Sequence, residues 1–337
     1  PPQPILGWGL KREHSFGFHA TGDSDQASAM DEPVGDAGEG HLMTIAPTGS
    51  GKGRSAIIPT LLSYPGPVIV VDPKGENYDV TARRRREMGQ QVFLLDPFGI
   101  TGDDGSCFNM LDTFNPAALD GYDQARGLAE LITPAKMLQD PFWEDSAREL
   151  ITVLILHVAS ARPPVLQNFS EVMYLLNQST DDWAHTIKEM RGNKLPLVSK
   201  LAAGFSETEP KVWASILSTA KTATAVFNSQ CFEQMSGRTD IPLTGIVRGD
   251  PISIYLVLPP EKLTSHGQLL RIWIGCLLEQ ICKRRHRVEQ PTLFLLDEAA
   301  QLGTLNQLRR AITLLRGYGV RTWSFWQDLS QLQNLYP

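Results

Sequence analysis

The stretch APTGSGKGRSAIIPTLL, Ala46 to Leu62, decides how the rest of the chain is read. It nearly spells a phosphate-binding loop: a glycine-rich turn after an apolar run, a lysine, then a helix start. Gly49 and Gly51 can take the backbone angles that turn successive N–H groups inward onto phosphate, and the positive end of the following helix adds to that attraction. Pro47, Thr48, Gly49, Ser50, Gly51, Lys52, Gly53 and Arg54 are therefore candidate nucleotide-binding residues, with Lys52 placed to reach β- and γ-phosphates. The stretch departs from the usual pattern at both ends. Ala46 stands where glycine is usual, and its methyl fits if the backbone stays in an ordinary region. Gly53 stands where a Ser or Thr hydroxyl would ligate Mg²⁺, so the ion must rely on phosphates, water and a carboxylate from elsewhere.

Working outward, short apolar runs each end in a polar or charged residue: HLMTIAP from His41, VIVVDP from Val68, VFLLDP from Val92. They read as parallel strands covered on both faces. Between roughly Thr133 and Thr239 helical periodicity replaces the strand signal, and strand texture returns with ISIYLVLP from Ile252, TLFLLDE from Thr292 and RTWSFWQ from Arg321. The expected fold class is α/β, a doubly wound sheet interrupted by a helical insertion. The division is an irregular lead-in over 1–40, a nucleotide-binding domain over 41–134 and 236–337, and an all-α domain over 135–235. The chain ends at Pro337 soon after the last strand signal, and a sheet of this kind usually continues further.

Ligand sites of open α/β sheets lie at the carboxyl ends of strands. Asp297 and Glu298 end the run LFLLDE. Asp297 is the candidate Mg²⁺ ligand, through water, and Glu298 the group that orients or deprotonates an attacking water. Gln327 ends the last strand, where an amide can hydrogen-bond a γ-phosphate or the water; a buried capping amide is the alternative. The helix LRRAITLLRGYG carries Arg309, Arg310 and Arg316. Arg316 can supply charge to a neighbour's phosphates across a subunit boundary, or simply cap a helix C-terminus ahead of Gly317. Asp72 and Lys74, just past a strand end, are placed beside the loop and are further nucleotide candidates. The run Arg83 to Arg86 faces several directions on a helix, a solvated surface that is also a weak phosphate-contact candidate.

Composition narrows the partners. With 31 Lys plus Arg against 37 Asp plus Glu, the net charge of −6 does not advertise a nucleic-acid binder, so any such binding needs a local basic surface. Cys107, Cys231, Cys276 and Cys282 fall in no metal-ligand spacing and read as reduced thiols of a cytoplasmic protein. The seven histidines form no paired motif. The longest apolar stretch, Leu150 to Ser160, is well short of the roughly 20 residues of a membrane helix. Neither a transmembrane span nor a signal peptide is read from the chain.

APTGSGKG, VIVVDPKGENYDVT, DPFWEDSARELIT, PISIYLVLPPEKL, LFLLDEAAQLG and GYGVRTWSFWQDLSQL occur in that order. Together they make the chain, from about Gly40 to Tyr336, resemble the TraG/TraD class of type IV coupling proteins; the loop variant ending in Gly53 also looks like that class. The resemblance implies a RecA-like P-loop nucleotide-binding domain with an inserted all-α domain, ATP and Mg²⁺ as cofactors, and a homo-oligomer, a hexameric ring, at the cytoplasmic face of the inner membrane. Implied partners are single-stranded DNA in a relaxosome, or effector proteins, and the channel ATPases and inner-membrane components of a type IV secretion system. By similarity Lys52 is the loop lysine, Asp297 and Glu298 the acidic pair, Gln327 the sensing glutamine and Arg316 the arginine acting in trans. The all-α domain is the region implied to meet substrate. Members normally carry N-terminal transmembrane helices, which are not seen here.

Two other readings are compatible with these residues. One is an ATP-binding receptor or adaptor that turns over little, suggested by Gly53 and opposed by Glu298. The other is an unrelated RecA-like helicase or packaging motor, against which the long helical insertion counts.

Overall fold

The computed structural model describes residues 3–9, 32–36, 38, 40–133, 141–303 and 315–336. Six strands form one parallel sheet: β3 (Leu42–Ile45), β4 (Val68–Val71), β5 (Gln91–Leu95), β6 (Ile252–Leu256), β7 (Thr292–Leu296) and β8 (Val320–Trp326), in the order β3-β8-β7-β4-β6-β5. These are the six apolar runs of the sequence. A separate antiparallel pair, β1 (Ile5–Gly9) and β2 (Glu32–Gly35), lies in the lead-in, and the Ile5 N–H donates to Thr60 Oγ1 at 2.8 Å, tying the pair to the first helix.

Continuous apolar runs are needed because side chains alternate between two covered faces. Val68 and Val70 point into one core with Ile57, with Leu61 of the first helix, α1 (Ile58–Ser63), and with Tyr78 of α2 (Glu76–Glu87). Ile69 and Val71 point into the other core. That second core continues without a break into the helices that follow β5: α3 (Gly121–Ile132), α4 (Phe142–Ala161), α5 (Phe169–Asn177), α6 (Thr180–Arg191), α7 (Pro196–Ser206), α8 (Pro210–Ala223), α9 (Gln230–Ser236) and α10 (Leu243–Arg248). It also includes α11 (Pro260–Cys282), which crosses from β6 to β7; a final helix, α12 (Leu329–Leu335), follows β8. The apolar run from Leu150 lies inside α4, where Leu150 through Val158 are all buried. Among the described residues no helix is long and apolar enough to cross a membrane.

β3 is an edge strand. Its Thr44 Oγ1 accepts from Trp323 Nε1 at 2.9 Å, while Met43 and Ile45 on its other face are about half exposed.

The run Arg83 to Arg86 divides by face, as its helical spacing requires. Arg83 and Arg84 lie in solvent near Glu87, and Arg86 lies over the Tyr78 ring. Arg85 points inward and is fully buried, donating to Ser253 Oγ at 2.8 Å, to the carbonyls of Leu61 (3.3 Å) and Gly66 (2.7 Å), and to Tyr64 O. It satisfies the last carbonyls of α1 and the turn into β4, groups a helix end leaves without partners. Burial lowers its pKa to about 10. Truncation would strand several buried carbonyls. Arg85→Ala should therefore destabilise the fold by about 3 kcal/mol, read as a lower urea midpoint, whereas Arg83→Ala should stay within about 0.5 kcal/mol.

Candidate nucleotide site

The last strand in the chain, β8, is inserted between β3 and β7. Its register sets Trp326 opposite Ile45 and Ser324 opposite Leu296, and Ala46 N–H donates to Trp326 O at 2.8 Å. Gln327, one residue beyond, thus emerges between the glycine loop after β3 and the acidic pair after β7.

In the loop, Gly49 and Gly51 have φ of +80° and +84°, the left-handed region that side chains other than glycine's rarely enter. A Cβ built on either would meet nothing within 4 Å, so the glycines are required by backbone conformation while the space above them stays open. Pro47 through Gly51 and Arg54 are exposed. The helix begins with a π-helical turn, Gly53–Ile57, in which Ser55 N–H and Oγ both donate to Gly51 O at 2.9 Å.

Glu298 is the centre of the site. It is the non-glycine residue with positive φ among those described, φ 54° and ψ 50°, a conformation that costs about 1 kcal/mol. From there Oε1 accepts from Lys52 Nζ and Oε2 from Gln327 Nε2, each at 2.7 Å. Asp297 Oδ1 lies 3.2 Å from Lys52 Nζ and accepts the Glu298 N–H at 3.0 Å. Lysine, two acids and glutamine therefore meet. Burial alone would lower the Lys52 pKa, but the hydrogen bond to Glu298 and the charge of Asp297 outweigh it and raise it. Burial raises that of Asp297 against the pull of Lys52.

Asp72 ends β4, which pairs with β7 and not with β3, so it neighbours the strand of the acidic pair and not the loop as expected. It is 1% exposed and accepts from Tyr78 N–H at 2.8 Å and Asn77 Nδ2 at 3.3 Å. Burial raises its pKa to about 6, against those hydrogen bonds and with help from the Asp297 charge. Lys74 points into solvent, 3.9 Å from Glu76. The structure does not gather it with Lys52. Arg309, Arg310 and the Arg316 side chain lie outside the described residues.

Sequence reasoning passed over Gln331, whose Oε1 accepts the Gln327 N–H at 3.0 Å while Asp328 caps α12 by accepting from Gln331 N–H at 2.9 Å. The signal was present as Asp328 followed three residues later by Gln331, a capping pattern.

The residues fit a nucleotide with Mg²⁺. The loop is open and held in phosphate-binding angles, and a cation and carboxylates stand at its mouth. A family model described as "Type IV secretory system Conjugative DNA transfer" matches residues 15–337. The chain belongs to this family. Within the conjugative DNA transfer family, it is 25% identical over 320 residues to conjugal transfer protein TraG of Escherichia coli, covering 88% of this chain and 49% of that protein. It is also 25% identical to the coupling protein VirD4 of Bartonella quintana, over 89% of this chain and 48% of the relative. The chain thus spans about half the length of these relatives. Among solved structures, plasmid coupling protein TrwB in complex with ADP and Mg²⁺ matches with a TM-score of 0.67 at 17% identity, covering 100% of this chain and 76% of that one. The RecA-like P-loop fold expected for a family member is the fold found.

Asp72 gives this site a stability signature. Its folded pKa, about 6, lies above the ordinary aspartate value of 3.8, so the native state holds the extra proton between these values and stability falls as pH rises through that window. Above pH 6 the ionised group costs about 3 kcal/mol. Asp72→Asn should therefore raise the melting temperature at pH 8 and raise it much less at pH 4, measured by thermal denaturation at both.

Proposed function

We propose that the protein is an ATP-hydrolysing coupling protein that recruits a relaxase–DNA or effector substrate to a type IV secretion channel and drives its translocation. The observation that carries this reading is the Glu298 carboxylate held between Lys52 and Gln327, which joins the phosphate loop, an acid and an amide sensor in one hydrogen-bonded set. A site that only binds nucleotide has no need of a strained glutamate there.

The roles follow from the contacts. Loop residues Pro47 to Arg54 surround the phosphates, and Lys52 neutralises the β- and γ-oxygens. Phosphate competes with Glu298 for the Lys52 ammonium. As Lys52 turns to phosphate, one oxygen of Glu298 becomes available to orient and deprotonate water, while Gln327 retains the other. Asp297 would hold Mg²⁺ through water, and the bound ion would supply positive charge against that developing on the phosphoryl oxygens. Asp72, buried at the end of the strand beside β7, acts on the site only through its charge, adding to the negative field around Asp297.

Arg316 completes the site from a neighbouring copy, which calls for a homo-oligomer, a hexamer in this reading. Residues 135–235 act as the all-α domain that meets the substrate, at the cytoplasmic face of the inner membrane with the channel ATPases as partners. The name of TrwB with ADP and Mg²⁺ and the names of TraG and VirD4 support the nucleotide and the coupling role.

The test is steady-state ATP hydrolysis with and without single-stranded DNA over a range of protein concentrations. The rate should rise with both. Glu298→Gln should lower kcat at least ~100-fold while leaving nucleotide affinity near that of the parent. Turnover equal to that of the mutant, in an oligomer of verified size, would put the adaptor in place of the motor.

Gly53 tests the metal side of the site. A Cβ there meets nothing within 4 Å, and its φ is not in the left-handed region, so a hydroxyl side chain fits. Gly53→Thr should lower the Mg²⁺ concentration for half-maximal hydrolysis without loss of thermal stability. An unchanged Mg²⁺ dependence would mean that position does not face the ion.

A further inference from the structure

The strand ends that face the nucleotide are acidic, with Asp72, Asp96, Asp297 and Glu298, on a chain of net charge −6. A polyanion is repelled there. The opposite edge, where the strands begin, carries the uninterrupted basic run Lys283-Arg284-Arg285-His286-Arg287 between α11 and β7.

This loop is fastened at both ends. Arg284 turns inward, 4% exposed, and donates to Ile246 O at 2.8 Å, Thr292 Oγ1 at 2.8 Å, Tyr318 O at 3.0 Å and Gly319 O at 3.2 Å. At the other end Val288 packs against Gly249 and Gly319, both with positive φ, so closely that a Cβ on either would collide with it. Arg285, His286 and Arg287, between the two anchors, are exposed. Tyr318, whose carbonyl Arg284 holds, is 39% exposed and so hangs from the same anchor as the loop.

Cations on a fixed loop and an exposed aromatic residue tied to the same anchor are the two components that hold single strands: phosphates on the cations, a base on the ring. Fixing the loop beforehand reduces the ordering entropy lost on binding. The other basic run offers no such anchored loop: it lies within α2, with Arg85 buried.

We propose that the Arg285–Arg287 loop and Tyr318 form a binding site for single-stranded DNA on the sheet edge opposite the nucleotide. The proposal rests on the DNA-translocase reading above. It also supplies a route between sites: the turn Leu315–Tyr318, which contains Arg316, shares its Arg284 anchor with the loop. A strand seated on Tyr318 bears on the turn that carries the arginine acting in trans.

Binding of labelled oligo-dT by fluorescence anisotropy, titrated between roughly 50 and 200 mM salt, tests it. The double variant Arg285→Ala/Arg287→Ala should reduce the slope of log K against log salt by about 1.4, two phosphate contacts on a single strand. Tyr318→Ala should weaken binding ~5- to 150-fold with the slope unchanged. Photo-cross-linking of a bromodeoxyuridine oligomer to the unmodified chain should map to Tyr318, an assay that does not depend on variant folding. Unchanged affinity and slope in both variants, with cross-links elsewhere, would overturn the site. So would variants that lose binding to anionic vesicles while keeping oligo-dT, which would make this edge a membrane surface.

The two readings fail separately. If DNA still stimulates hydrolysis in all variants, the site falls and the translocase stands; if oligo-dT binding depends on the loop while hydrolysis ignores DNA, the site stands and the motor falls.

Discussion

Six strands that all run the same way put every carboxyl end on a single edge, and this constraint organises the molecule. The order of the strands then decides which ends are neighbours. Because β8 is slipped between β3 and β7, a glutamine, a lysine and a glutamate far apart in sequence meet within hydrogen-bond distance. Glu298 completes the meeting by accepting a left-handed backbone, a local strain maintained by the two hydrogen bonds its side chain makes.

The same edge concentrates like charge. Asp72 and Asp297 stand at the ends of adjacent strands, and burial makes each reluctant to ionise. Lys52 offsets part of that field. The result is a site whose resident charges are better satisfied when a cation arrives, which is the electrostatic condition for holding a metal–phosphate complex. Stability is sacrificed locally for that readiness.

Much of this was legible in the chain. The six strands could be read because strands buried on both faces must be continuously apolar, and the loop and acidic pair because phosphate chemistry restricts residue type and spacing. Their mutual arrangement was less legible, since strand order is fixed by non-local pairing. That is why Asp72, expected beside the loop, stands beside the acidic pair. Arg85 was hidden for a different reason. Inside a run of four arginines it looks like its neighbours, and only the carbonyls of Leu61, Tyr64 and Gly66, brought over by the packing of α1, distinguish it. Arg284 repeats the case in the second basic run, where the inward arginine is the structural one and Arg285 to Arg287 after it are exposed.

The edge strand β3 has a consequence for handling the protein. Along its outer side the backbone donors and acceptors pair with no other strand among the described residues, and Met43 and Ile45 add exposed apolar surface. An edge of that kind recruits further strands, from another copy as readily as from anything else. Self-association through β3, beside the phosphate loop, is thus the first route by which copies of the isolated chain would meet.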